Sequence, residues 1–445
     1  MVYLRHLSGL RLKMNKRNLL ITYCFPPIAA PESYLVAKLF ANLPLNNFDV
    51  ITIEPFKTWM KSDIELERHL LAKIPHIFRV KVPKWKEHLP LTKKDVKLVN
   101  LGAGGRVKKF ALGILINQAN LILKSPDPFR FYNRDLQKTL RSKKFQYRNI
   151  VTWSQYNSTA LIGLKLKKKY GNEINWIAYF GDPWHLNPYI PLRGLSKRLN
   201  HRMQTLVFEN ADLLIFPTQE MLNYVMDGYG DDVRDKCKIL SHSYDPELYL
   251  LKTALNQKHD RLKFKYIGQF YGNRSPEIIY DALAILYRES PDILKKIQIE
   301  FIGGNNPKEF AHSKYKNLPE GLITFRGQLS YLDSLKEMLT ADCLISLDAP
   351  AKENIFMSAK ISDYIGAAKP IIAFTNKGAT SKLIRSYGGW IANPLSPTEG
   401  AEAFRSASNF VSENGDKLFG SSQIRNELSA KHVGLQFSAI IEELS

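Results

Sequence analysis

Cysteine is scarce in this 445-residue chain: Cys24, Cys237 and Cys343 each sit in an apolar, strand-like run, none at metal-ligand spacing. That excludes a disulfide scaffold and a thiolate metal centre, and reads as core thiols in a reducing compartment. Long apolar runs are missing too. No window approaches the roughly 18–20 residues that span a bilayer. The start, MVYLRHLSGLRLKMNKRN, has basic residues and scattered leucines but no continuous apolar segment of the secretory kind. Residues 1–13, ahead of Met14, read as a dispensable leader.

Negative charge is also in short supply. Lys and Arg number 63 against 42 Asp and Glu, a formal net charge of +21. Basic clusters recur through the first half, at Lys93/Lys94/Lys97, Arg106/Lys108/Lys109, Arg141/Lys143/Lys144 and Lys165/Lys167/Lys168/Lys169. Such a surface attracts phosphate polymers or anionic headgroups, or is simply a set of solvated helix faces. No recognisable nucleic-acid module accompanies it, so no nucleic-acid partner is expected.

What is present is a repeated strand–helix alternation, the mark of an α/β protein. NLLITYC (18–24), a helix over 31–43 and FDVITI (48–53) open a parallel sheet. Residues 55–145 carry little pattern beyond an apolar patch at 110–123, which reads as a helix covering the sheet or a face that meets lipid. Strands at 149–154, 175–180, 212–218 and 237–242 follow, with helices at 158–170, capped by Ser158, and around 195–206. The polar stretch 252–261 suits a linker. The alternation then restarts with strands at 262–268, 297–304, 322–327, 343–349 and 369–375, and ends in a helix near 422–443. We therefore expect two doubly wound domains, 1–252 and 262–425, facing a central cleft, and a terminal helix, 426–445, that packs back on the first. In such sheets ligands sit beyond the carboxyl ends of the strands.

Three stretches carry chemistry. In WIAYFGDPWHLNPY (176–189), Asp182 stands just past a buried strand, Pro183 sets the turn and Trp184 offers a flat apolar wall. The carboxylate can accept a sugar hydroxyl, act as a base or merely cap the next turn. In YIGQFYGNRSPE (266–277), a strand ends at Gly268, and Tyr271 and Arg274 lie on the turn before a Ser-Pro helix start. A guanidinium beside a helix N-terminus can clamp a phosphate. In FMSAKISDYIGAAKPIIAF (356–374), Ser358 and Lys360 stand at a helix start, where both can meet a diphosphate, and Asp363 follows one turn on, placed to accept from a ribose hydroxyl.

Taken together and in order, these stretches resemble the retaining GT-B glycosyltransferases of family 4, in particular the branch that builds bacterial surface polysaccharides. LLITYCFPPIAAPESYLVAKLFANL is similar to that family's opening strand–loop–helix, and GQFYGNRSPEIIYDAL and SAKISDYIGAAKPIIA to its donor-binding turn and helix. The likeness spans about residues 18–395, interrupted at 55–145. It implies two Rossmann-like domains, an acceptor half followed by a nucleotide-sugar half, with Arg274 on the donor diphosphate and Asp363 on the ribose. Pro27, Ala29, Ala30, Asp182 and Trp184 then fall on the acceptor side, and Gly268, Tyr271, Arg274, Ser358, Lys360 and Asp363 on the donor side. Catalysis is expected to rest on Asp182, Arg274 and Lys360.

This chain departs from the family in three ways. Ala29–Ala30 stand where a Gly-Gly pair is common. The ribose carboxylate is Asp rather than Glu. Eight residues upstream of it, where many members carry a second Glu, stands Ile355. No D-x-D triplet is present, so no metal cofactor is expected and the leaving diphosphate would be held by cations. The implied activity is sugar transfer from a nucleotide-diphosphate sugar to a lipid-linked or oligosaccharide hydroxyl, in the cytoplasm or at the inner face of the membrane. A nucleotide-sugar 2-epimerase of the same fold and a non-catalytic nucleotide-sugar-binding homologue are the alternatives.

Overall fold

The computed structural model describes residues 17–44, 47–55, 62–74, 76–83, 122–142, 146–250, 260–270, 272–304, 318–415 and 417–444. The linker expected at 252–261, most of the apolar patch at 110–123 and Tyr271 lie wholly or largely outside them.

The first sheet contains β1 (Arg17–Ile21), β2 (Phe48–Ile53), β3 (His76–Val80), β4 (Tyr147–Ser154), β5 (Asn175–Phe180), β6 (Leu213–Phe216) and β7 (Cys237–Ile239). The second contains β8 (Leu262–Ile267), β9 (Ile297–Ile302), β10 (Ile323–Arg326), β11 (Cys343–Leu347), β12 (Ile371–Phe374) and β13 (Trp390–Ala392). Their orders are β3-β2-β1-β4-β5-β6-β7 and β10-β9-β8-β11-β12-β13, and neighbouring strands in both sheets run parallel. Strands such as FDVITI and CLISL are buried at every position because helices cover both faces, which is why they read as continuous apolar runs. Strand order reverses between β1 and β4 and again between β8 and β11. Each reversal opens a crevice at the carboxyl ends of the strands. This is the two-domain α/β architecture expected from the sequence.

Two strands went unread. His76–Val80 is a half-exposed edge in the basic region, and Trp390–Ala392 is three residues long. The cap expected of Ser158 is also corrected. Its amide and hydroxyl both donate to Asp127, at 2.8 and 2.7 Å, so Asp127 holds the start of the helix Ser158–Tyr170. All three cysteines are free thiols, two of them buried.

The domains are clasped together. The terminal helix Ala430–Glu442, capped by Ser429, lays Phe437 against Phe40 and Phe48 of the first domain. Phe40 belongs to the helix Pro31–Ala41, whose Lys38 reaches Asp363 of the second domain at 2.7 Å. Tyr34 stacks on Tyr331 at 4.4 Å, and Asp63 accepts from the Tyr331 amide at 3.0 Å. Thr218 donates to the Ile355 carbonyl at 2.9 Å, and Tyr189 packs on Phe356 with ring centroids 4.9 Å apart.

Candidate functional site

In the second domain, β8 gives way at Gly268, which brings the backbone close to Lys360. A Cβ would lie 2.2 Å from the Lys360 ammonium, at a backbone φ of +154° that disfavours other residues. Lys360 comes from the first turn of the helix Ala359–Gly366, which follows β11, and its ammonium lies 4.6 Å from the centre of the Tyr266 ring. Arg274, on the turn after β8, brings its guanidinium to 3.8 Å from Asp348 at the end of β11. Asp348 also accepts from Asn354 at 2.6 Å and Thr375 at 2.8 Å, which fixes it. Topology thus explains the meeting: β8 and β11 are neighbours across the switch point, so the loops that follow them must converge.

The result is a crowded cationic recess. Burial first, and the Arg274 guanidinium second, push the Lys360 ammonium down to about 7, while Asp348 opposes the shift. Burial raises the Asp348 carboxyl above its ordinary value, and Arg274 and Lys360 draw it back. Ser358 is the N-cap of the same helix, and its hydroxyl makes no capping bond. Three of the expected donor-side residues, Gly268, Arg274 and Lys360, therefore meet at one place, with Ser358 at the mouth of the helix. A helix N-terminus with two cations beside it suits a diphosphate.

Asp363 does not join them. Its carboxylate is buried, accepts from Lys38 at 2.7 Å and from the Tyr331 hydroxyl at 3.0 Å, and faces the first domain. The carboxylate expected at the ribose therefore forms an interdomain tie. The reason lies 325 residues away, in a lysine on another domain. Ile355, at the position of the family's second glutamate, is buried.

The first domain's switch point has the opposite sign. Asp182 follows Gly181 at the end of β5, open to solvent yet walled closely enough that burial raises its carboxyl to about 6. Beside it stands Glu32, from the first turn of the helix Pro31–Ala41, which sequence reasoning did not single out. A Cβ on Gly181 would lie 2.9 Å from Glu32 Oε1, so the two chain segments touch. Burial first, and the Asp182 charge second, raise Glu32 to about 8, although the Trp153 indole N–H donates to it at 2.9 Å. Trp153 is itself held by a stacked Tyr179 at 3.6 Å. A Pro-Glu helix start reads only as favourable N-terminal charge; nothing local signals the tryptophan or the aspartate.

Pro27, Ala29 and Ala30 lie half-buried on the loop leading to Glu32. The Pro27 carbonyl is taken by the Asp63 amide at 2.7 Å, and Ala30 is the N-cap of the helix. Trp184 is a correction: it is 4% exposed, its indole N–H donates to Asn200 at 2.8 Å, and it packs with Phe180 in the core rather than lining a cleft. Tyr189 and Phe356, on the loops that carry Asp182 and Ser358, touch and so tie the two crevices together. Among the described residues no three His, Cys, Asp or Glu side chains gather as a metal site.

No family model matches the chain, and no curated protein matches it. Solved structures do. Anabaena HepE in complex with UDP and glucose superposes with a TM-score of 0.60 at 12% identity, over 96% of this chain and 100% of that one. Sucrose-phosphate synthase from Thermosynechococcus elongatus gives 0.60 at 15% identity, over 96% and 99%. The lipopolysaccharide outer core galactosyltransferase WaaB gives 0.55 at 10%, over 96% and 99%. At such identities the likeness establishes the architecture, and the fold is GT-B.

Proposed function

We propose that this protein is a hexosyltransferase that moves a sugar from a nucleotide-diphosphate sugar to an acceptor hydroxyl. One observation carries the reading: Arg274 and Lys360 converge at the N-terminus of the helix Ala359–Gly366, at the second sheet's switch point, within a GT-B fold. In the reaction the bond from the anomeric carbon to the diphosphate breaks, and a bond from that carbon to the acceptor oxygen forms. Negative charge grows on the departing diphosphate. Arg274, Lys360 and the helix amides meet it there, already in place and without reorganisation. Asp182 accepts a hydrogen bond from the acceptor hydroxyl and orients it, and the hydroxyl proton passes to the leaving group. This scheme routes no step through a metal. Retention of configuration follows from the family likeness.

Fold comparison supports the donor class, since Anabaena HepE was solved with UDP-glucose on the same architecture. A lipid-linked or oligosaccharide acceptor of surface-polysaccharide assembly, met at the inner face of the membrane, is favoured by the basic first half. Among the described residues no helix is long and apolar enough to cross a bilayer.

A thermal-shift screen of nucleotide-diphosphate sugars tests the reading. A ligand that binds only the folded state at a hundred times its Kd adds about 2.7 kcal/mol of stability. A matching donor therefore raises Tm by several degrees, and labelled sugar then moves to an added acceptor. Stabilisation by none of the nucleotide sugars or nucleoside diphosphates would overturn the proposal.

A further inference from the structure

Away from the cleft, the outer face of the first domain carries a furrow that the proposed reaction does not use. Its walls are the helices Asn133–Ser142 and Ser158–Tyr170. The first is anchored from beneath. Tyr132, Leu136 and Leu140 are buried in the core with β1 and β2, and Asn133 accepts from the Tyr23 hydroxyl and donates to the Ser158 carbonyl at 2.8 Å. Leucines at spacing four occupy one face, so the residues between them must point outward. These are Arg134, Lys138 and Arg141, at spacings of four and three, all exposed. Arg130 stands one turn earlier, and exposed Lys165 faces them from the second helix, with its ammonium 3.5 Å from Gln137 Oε1.

These five cations line a hollow of about 490 Å³, and no carboxylate is among its described lining residues. The amide nitrogen of Gln137, buried in the same wall, has no hydrogen-bond partner among the described residues. Arg134, Lys138 and Arg141 have no ion-pair partner among those residues either. Like charges four apart on a helix destabilise it by a few tenths of a kcal/mol per pair. A ligand carrying several negative charges reverses that sign, and the unfilled amide donor adds a hydrogen bond. The volume suits a small headgroup rather than an extended polymer.

We propose that this furrow binds a group bearing two or more phosphates, at a site separate from the donor pocket. The group comes either from the headgroup region of an anionic membrane, where the furrow would fix the enzyme's orientation, or from a soluble phosphorylated molecule. Both sources share the chemistry of clustered phosphate oxygens, which guanidinium and ammonium groups recognise.

The test uses the full chain with Arg274→Ala, which removes the competing guanidinium from the cleft. Two double variants are compared, Arg134→Ala/Lys138→Ala in the furrow and Lys168→Ala/Lys169→Ala on the exposed face of the neighbouring helix. Both remove two positive charges from helix surfaces. Binding is read by calorimetric titration with inorganic tripolyphosphate at low salt, and by co-sedimentation with phosphatidylcholine vesicles with and without phosphatidylglycerol. A cation near an anionic surface contributes about fivefold to binding, so the furrow variant loses about 25-fold while the control loses far less. Selective loss on the phosphatidylglycerol vesicles assigns the headgroup. Selective loss with tripolyphosphate alone assigns the soluble phosphate. Equal loss in both variants, which would mark a diffuse field, or loss in neither overturns the proposal. Nucleotide-sugar stabilisation of otherwise wild-type protein, measured in parallel, is unaffected by either double variant, so this outcome is independent of the donor reading.

Discussion

The two switch points of this molecule are built alike and charged oppositely. Each lies where strand order reverses, and each crowds two like charges from neighbouring loops into a recess. In the second domain the recess is cationic, and burial first, with the Arg274 guanidinium second, brings Lys360 down to about 7. In the first it is acidic: burial first, and the Asp182 charge second, raise Glu32 to about 8, and burial raises Asp182 to about 6. One topology therefore supplies two places, and in the proposed reaction the side chains decide that one receives a departing anion and the other a hydroxyl.

The largest test of this contrast removes Arg274. Loss of a preorganised group that meets transition-state charge costs about 10²–10³ in rate, so Arg274→Ala is expected to cut turnover by that factor while the chain still folds. Near-normal turnover would take Arg274 out of the site and erase the contrast. Next comes the clasp between the two regions. Lys38 and Asp363 form a buried pair, and removing one partner strands the other charge. Lys38→Ala is expected to cost about 3–5 kcal/mol in denaturant unfolding. Asp363→Asn, which keeps the shape, should leave nucleoside diphosphate affinity nearly unchanged, whereas a large loss of affinity would return Asp363 to the ribose.

The smallest effects are in proton bookkeeping, and their signs differ between the regions. Lys360 has a folded pKa below its ordinary value. From about 7 to 10.5 the unfolded chain binds more protons, so this group's contribution to stability rises with pH across that window. Glu32 has a raised folded pKa, so its contribution falls as pH rises from 4.5 to about 8. Melting curves of Lys360→Met should therefore gain on wild type most below pH 7, and those of Glu32→Gln most above pH 8. Nucleoside diphosphate binding at pH 8 should also draw up to one proton onto Lys360, seen as a calorimetric difference between buffers of unlike ionisation enthalpy. Flat profiles for both variants would mean that neither Lys360 nor Glu32 is shifted from its ordinary value.

Much of the architecture was legible because buried parallel strands leave an unmistakable record. Cys343–Leu347 and Asn175–Phe180 stand out as short apolar runs ending at loops, and their ends locate the crevices. Arg274, Lys360 and Asp182 could be picked out for the same reason: each stands where a strand has just ended or a helix has just begun. His76–Val80 was hidden because an edge strand in basic surroundings has no clean alternation, and Trp390–Ala392 because three residues carry too little pattern.

The linear chain by itself determined the two α/β halves, the excess of positive charge, and the placement of a cation or a carboxylate at the mouth of particular strands and helices. Those are local properties, set by periodicity and by the residues next in line. Tertiary structure alone decided which of these groups would meet. It joined Glu32 to Asp182 and Trp153, turned Asp363 toward Lys38, buried Trp184, and gathered five cations around one furrow. Burial and through-space charge, which set these groups' chemistry, depend on neighbours that sequence distance does not reveal.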